Sequence, residues 1–141
     1  MIVIDTNVIS ELWKIEPSAR VIAWMDAQTV ETLYLSAGTV AELRFGLAAL
    51  PPGNRRTVFQ ERFEAETLPL FAGRVLPFDL AATQAYADLM AKARSEGQAI
   101  GIADGYIAAI SLSRGFMLAT RGTSPFLSAG LKVINPREAE E

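Results

Sequence analysis

The chain opens Met1-Ile2-Val3-Ile4-Asp5-Thr6-Asn7, and this start constrains everything after it. The apolar run from Met1 to Ile4 predicts a short buried strand, and the strand stops at Asp5. Beyond it Val8, Ile9 and Leu12 return at helical spacing. A carboxylate therefore stands where a strand ends and a helix begins. In a parallel α/β sheet, sites are built in the crevice beyond the carboxyl ends of the strands.

The rest of the chain supports that architecture. Pro17 opens a helix through Val21, Ile22, Trp24 and Met25. Thr32 to Ser36 alternates as a second strand, and Thr39 to Leu50 carries a helical stripe of Val40, Leu43, Leu47 and Leu50. Pro51, Pro52 and Gly53 end it, and a longer helix or helix pair is expected from about Asn54 to Phe71. Arg74 to Phe78 reads as a third strand, which Pro77 confines to an edge or ends. Asp79 caps a helix through Tyr86, Leu89 and Met90 that Gly97 closes. An unusually apolar helix from Ile100 to Leu112 follows. Phe116 to Thr120 and Leu131 to Ile134 complete a sheet of four to five strands. Strands alternating with helices predict a mainly parallel sheet between two helical layers, a three-layer α/β/α sandwich. Trp13, Trp24 and Phe45 suit either the core, their ordinary place, or a contact face.

Composition narrows the chemistry. The chain has 141 residues, the length of one domain, with residues 137–141 expected as a frayed tail. It contains neither cysteine nor histidine. Disulfides, thiolate nucleophiles, Ser-His-Asp triads and imidazole ligands are therefore excluded. The remaining ligands are hard oxygens, which suit magnesium or manganese better than zinc. A net charge of −3 provides no global basic field for nucleic acid, so any such attraction is local. Met1 leads straight into a strand, with no basic leader, and no apolar run approaches the roughly 20 residues of a membrane span. A cytoplasmic protein is expected.

Two further acids stand out beside Asp5. Glu42 shares a helix face with Thr39, Gly46 and Ala49, small residues that predict a semi-buried carboxylate. Asp104 has Ile100, Gly101, Ile107 and Ala108 as helical neighbours and no nearby Lys or Arg. Each has a plainer reading: Asp5 as an N-cap, Thr39 to Glu42 as a capping box, Asp104 as an N-cap before Gly105. Converging carboxylates about 5 Å apart would repel by about 3 kcal/mol per pair at an effective dielectric near 20. A shared dication offsets that and activates water where no histidine base exists. Asn7 and Thr120 supply neutral groups for supporting or water-orienting roles, and Arg121 is placed to meet a phosphate or to lie in a solvated loop.

Five blocks carry a resemblance: MIVIDTNVISEL, YLSAGTVAELRFGLAALP, FAGRVLPFD, GIADGYIAAI and the late LATR with INP. Together, and in this order, they resemble the PIN-domain ribonucleases, specifically the VapC-like toxins of toxin–antitoxin pairs and their FitB-type branch. The resemblance implies a PIN-like fold over the whole chain and a Mg²⁺- or Mn²⁺-dependent endoribonuclease. It implies metal-binding acids at Asp5, Glu42 and Asp104, with Thr120 catalytic in a supporting role; Thr6, Asn7 and Arg121 are the residues expected to support that set or meet substrate. It also implies a homodimer, and an antitoxin that links the complex to operator DNA and lays its tail in the acidic groove. One departure is visible: where the family commonly carries another acid after the Thr-Arg pair, this chain has Gly122 and Pro125. A second metal is then disfavoured, and a catalytically weakened module serving mainly as antitoxin partner and co-repressor is the alternative. An aspartyl phosphatase is disfavoured because Asn7 stands where its second Asp belongs, and Lys14, Lys92 and Lys132 are the only lysines.

Overall fold

The computed structural model describes residues 1–138. Strand β1 (Ile2–Ile4) is the centre of a five-stranded sheet in the order β3-β2-β1-β4-β5. β2 is Leu33–Ser36, β3 Val75–Leu76, β4 Met117–Ala119 and β5 Val133–Ile134. Every pairing is parallel, with Ile2 opposite both Leu33 and Met117. β3 lies at the edge and ends just before Pro77.

Side chains on a strand alternate between faces, and β1 shows the consequence. Val3 joins one apolar cluster with Leu89, Ile107, Ala108 and Leu118, while Ile4 joins the other with Val8, Leu35, Leu43 and Phe63. Helices α5 (Leu80–Ser95) and α6 (Ile102–Arg114) cover the first face. Helices α1 (Thr6–Ile9), α2 (Ala19–Ala27) and α3 (Ala37–Ala48) cover the other. Helix α4 (Asn54–Arg62) and its continuation lie on that second side as well. The expected sandwich is thus formed. Among the described residues, no helix is long and apolar enough to cross a membrane.

Several local expectations change. The stretch from Asn54 to Phe71 is one path with three hydrogen-bonding patterns: α4, a π-turn over Phe63–Thr67, and a 3₁₀ turn over Leu68–Phe71. The π-turn seats Phe63 fully inside the core. Helix α3 begins at Ala37, capped by Ser36, so the Thr39–Glu42 capping box does not form. Helix α6 begins at Ile102 rather than Ile100. A short helix α7 (Ser124–Ser128), which the sequence did not predict, precedes β5. Phe45 is 75% exposed, so it is not a core residue, whereas Trp13 packs edge-on against Phe63.

The opening helix departs most from its expected pattern. After Ile9 the chain tightens into a 3₁₀ turn, Ser10–Trp13. In that turn Glu11 points inward and is fully buried, while Leu12 is 41% exposed.

Two glycines test the packing. A Cβ on Gly105 would lie 2.9 Å from Tyr86 Cε2 and 3.0 Å from Met90 Sδ, whereas one on Gly46 would meet nothing within 4 Å. Gly105→Ala is expected to lower stability by about 1–3 kcal/mol through overpacking. Gly46→Ala, within helix α3, is expected to raise it by about 0.5–1 kcal/mol. Urea denaturation of the two variants measures both.

Candidate active site

The strand order explains where a site forms. The chain runs outward from β1 to β2 and β3, then returns to place β4 on β1's other side. The two halves part between β1 and β4, and the crevice at such a switch point opens at the strands' carboxyl ends. Asp5 follows β1 and Thr120 follows β4.

The Asp5 carboxylate is held at both oxygens. Oδ1 accepts the Thr6 backbone N–H at 2.8 Å, capping α1. Oδ2 accepts the Thr120 hydroxyl at 2.8 Å. The buried Thr120 oxygen in turn accepts from Asn7 Nδ2 at 3.3 Å and from the Gly122 N–H at 3.3 Å. One donated and two accepted bonds use the full capacity of a hydroxyl. Asn7 Oδ1 accepts the Arg121 N–H at 3.2 Å, so Asn7 ties the end of β4 to α1. The cap reading and the site reading of Asp5 are realised in the same side chain.

Glu42 and Asp104 approach from opposite sides of the sheet. Glu42, on α3, is exposed rather than semi-buried. Its Oε1 lies 3.3 Å from the Thr6 hydroxyl, which also contacts the Thr39 hydroxyl at 3.1 Å. Asp104 is also exposed, in the first turn of α6 behind the Gly101 cap. It is neither an N-cap nor a buried unpaired charge. Water and the positive end of the helix dipole accommodate it. Burial pushes the Asp5 carboxyl above its ordinary value; the Thr120 and Thr6 hydrogen bonds pull the other way, and the charges of Asp104 and Glu42 add to the rise.

Among the described residues, no three acidic side chains stand at metal-ligating spacing. The donor chemistry nevertheless suits a hard dication. Every candidate ligand is a carboxylate oxygen, and each Asp5 oxygen, bonded once, has a lone pair to spare. Glu42 and Asp104 are not locked in place by packing.

Beside these acids lies a residue that sequence reasoning passed over. Glu11 Oε1 accepts from Lys14 Nζ at 2.9 Å and Arg137 Nη2 at 3.1 Å, with Arg121 Nη1 at 3.8 Å. Oε2 accepts the Ser18 N–H at 3.1 Å, at the start of α2. Arg137 was assigned to a frayed tail, yet it is pinned here, and its carbonyl accepts from Arg20 Nη1. Positions 139–141 of that expected tail lie outside the described residues. Lys14, three residues on, was the sole local signal, since Arg121 and Arg137 come from the far end of the chain. Alongside, Thr6, Trp13, Glu42, Leu47, Arg55 and Phe59 line an apolar groove of about 290 Å³.

Thr120→Val keeps the shape but leaves Asp5 Oδ2, Asn7 Nδ2 and the Gly122 N–H each short of a partner. A loss of about 1–3 kcal/mol is expected in urea unfolding, with Thr120→Ser restoring most of it. Burial alone would raise the Glu11 carboxyl, but Lys14, the Ser18 N–H and Arg137 outweigh it and lower it from 4.5 to about 2. An acid lowered on folding stabilises above its unfolded value and loses that stabilisation as pH falls through its folded value. Glu11→Gln is therefore expected to cost about 3 kcal/mol at pH 7. Thermal melts should show the gap to the wild type narrowing as pH falls from 4.5 towards 2.

Comparison with known proteins agrees with this geometry. Residues 2–130 match the PIN domain. The chain is 69% identical over 138 residues to VapC ribonuclease Y4jK of Sinorhizobium fredii, covering 98% of this chain and 99% of that protein. It is 48% identical over 136 residues to toxin FitB of Neisseria gonorrhoeae, covering 96% of this chain and 98% of that one. The structure of FitAB bound to an IR36 DNA fragment superposes with a TM-score of 0.97 at 47% identity, over 100% of this chain and 99% of the other. With its parallel sheet, its acid at the end of β1 and near full-length similarity to these proteins, the chain belongs to the PIN-domain family, in the branch of the VapC ribonucleases and the FitB toxin.

Proposed function

We propose that this protein is the endoribonuclease toxin of a toxin–antitoxin pair, a single domain over residues 1–141 that hydrolyses RNA phosphodiester bonds with Mg²⁺ or Mn²⁺. The observation that carries this reading is Asp5, fixed by Thr120 and Thr6 at the β1/β4 crevice, its carboxyl raised by burial with the charges of Asp104 and Glu42 adding to the rise. Asp5, Glu42 and Asp104 are the ligand set. When bound, a divalent ion supplies charge stabilisation on a phosphodiester oxygen and acidifies water.

The chain's own residues supply the positioning. Thr120 fixes the direction of the Asp5 carboxylate. Asn7 holds the loop after β4 through the Arg121 N–H, and the Arg121 guanidinium stands beside Glu11. Thr6, on the same side of the sheet, steadies Glu42 through its hydroxyl. Close likeness to FitAB supports an antitoxin partner that carries the complex to operator DNA. In this reading the antitoxin's tail lies in the acidic groove, beside the apolar groove that Glu42 also lines. A homodimer in the cytoplasm completes the reading. Gly122, where such proteins commonly carry another acid, supports a single metal and favours, as a second reading, a weakened nuclease acting mainly as co-repressor.

The test is cleavage of labelled RNA by the purified protein with Mg²⁺ or Mn²⁺, its loss with EDTA, and its loss in Asp5→Asn. Because the folded state raises the Asp5 carboxyl, its ionisation at neutral pH opposes folding. Asp5→Asn is therefore expected to abolish cleavage and growth inhibition while keeping or raising the melting temperature. Full cleavage by this variant would remove Asp5 from the mechanism. Absence of Mg²⁺ or Mn²⁺ binding at millimolar levels by calorimetry would favour the co-repressor reading.

A further inference from the structure

We propose that Lys14, Arg121 and Arg137, gathered on the buried Glu11, form a second subsite that binds a backbone phosphate of the RNA strand next to the one being cut. The inference rests on the ribonuclease reading above and extends it to residues outside the carboxylate centre.

Its physical basis is a local imbalance of charge. One carboxylate oxygen, Glu11 Oε1, has three cationic groups within 4 Å: Lys14 Nζ at 2.9 Å, Arg137 Nη2 at 3.1 Å and Arg121 Nη1 at 3.8 Å. One negative charge faces three positive ones. Among the described residues, none of the three cations has a second carboxylate within ion-pair distance. The Glu11 side chain is fully buried, while those of Lys14, Arg121 and Arg137 are 40%, 41% and 46% exposed. The anion is sealed beneath and the cations open outward, so the surface above Glu11 is a positive patch on a chain whose net charge is −3. Like charges brought together in this way are relieved by an external anion.

Its place identifies the anion. Arg121 directly follows Thr120, the partner of Asp5, and its N–H is bonded to Asn7, which also binds Thr120. The patch and the acids are thus joined through consecutive hydrogen bonds. A strand with one phosphate in the acid crevice carries further phosphates on either side. Guanidinium groups pair with phosphate oxygens through two parallel hydrogen bonds. The acids repel the polyanion they cut, and the patch supplies the local attraction that the acidic chain otherwise lacks.

The test measures binding of a fluorescein-labelled single-stranded RNA of about twelve nucleotides to protein carrying Asp5→Asn, which prevents cleavage, over a range of salt concentrations. Lys14→Gln with Arg137→Gln keeps a hydrogen-bond donor beside Glu11 at each position while removing both charges. The expected result is weaker binding and a log–log salt slope smaller by about 0.7, the contribution of one phosphate contact on a single strand. RNA in which one phosphate is replaced by a neutral methylphosphonate, scanned along the strand, gives a measurement that does not depend on the variant folding. One position outside the scissile bond should weaken binding to the protein with Lys14 and Arg137 intact. The same replacement should have little further effect on the double variant. An unchanged salt slope in a folded double variant, with wild-type protein still cutting RNA, overturns the subsite and leaves the nuclease intact. Loss of binding to a hexaglutamate peptide with RNA binding unaltered overturns it in favour of an acidic protein partner. Wild-type protein that neither binds nor cuts RNA removes the nuclease reading, and the subsite with it.

Discussion

The hydrogen bond from the Thr120 hydroxyl to Asp5 is the contact on which the candidate centre depends. It joins the residue after β1 to the residue after β4, so it closes the crevice where the two halves of the sheet diverge. Thr120 is fully buried, and every lone pair and hydrogen of its side chain is engaged. The Asp5 carboxylate is therefore held in one direction before anything binds. This order is maintained against electrostatics, because burial and two nearby acids all favour the protonated form of Asp5. Such opposition between local comfort and arrangement is characteristic of sites where selection acts on chemistry rather than on stability.

The other two acids are managed differently. Glu42 and Asp104 stand in solvent, one on a helix from each layer, and neither is fixed as firmly as Asp5. The centre thus has one rigid member and two exposed ones. Water screens their mutual repulsion while the crevice is open. The energetic conflict inferred from three tightly converging acids is relieved by exposure in the protein as it stands.

Much of this was legible in the sequence, for identifiable reasons. Short apolar runs ending in polar residues marked the strands, and Pro77, read as confining or ending β3, stands just past the end of that edge strand. The stripe of Val40, Leu43 and Leu47 marked the buried face of α3, and all three are buried. Asp5 at a strand end was readable because strand and helix periodicities meet there. What could not be read depended on hydrogen-bond pattern rather than residue type. Leu12, expected on the helical stripe, is exposed, while Glu11 is drawn inside by the Ser18 N–H, Lys14 and Arg137. Ser36 rather than Thr39 became the cap of α3, which released Glu42 from backbone duty. Asp104 looked embedded in apolar sequence, but α6 begins only at Ile102, so it stands in an exposed first turn. The ring of cations on Glu11 joins positions separated by 126 residues, and no local pattern signals such a contact.

The order of strands has a consequence during synthesis. β1 is the first strand to leave the ribosome, yet it lies in the middle of the sheet, and its neighbour β4 is among the last to be made. Until position 120 has been translated Asp5 has no Thr120, and until position 137 Glu11 lacks Arg137. Pairings this distant along a chain form late and slowly. A nascent polypeptide that has not yet reached β4 carries its acids but has no assembled centre, so competence arrives only once Thr120 has joined Asp5.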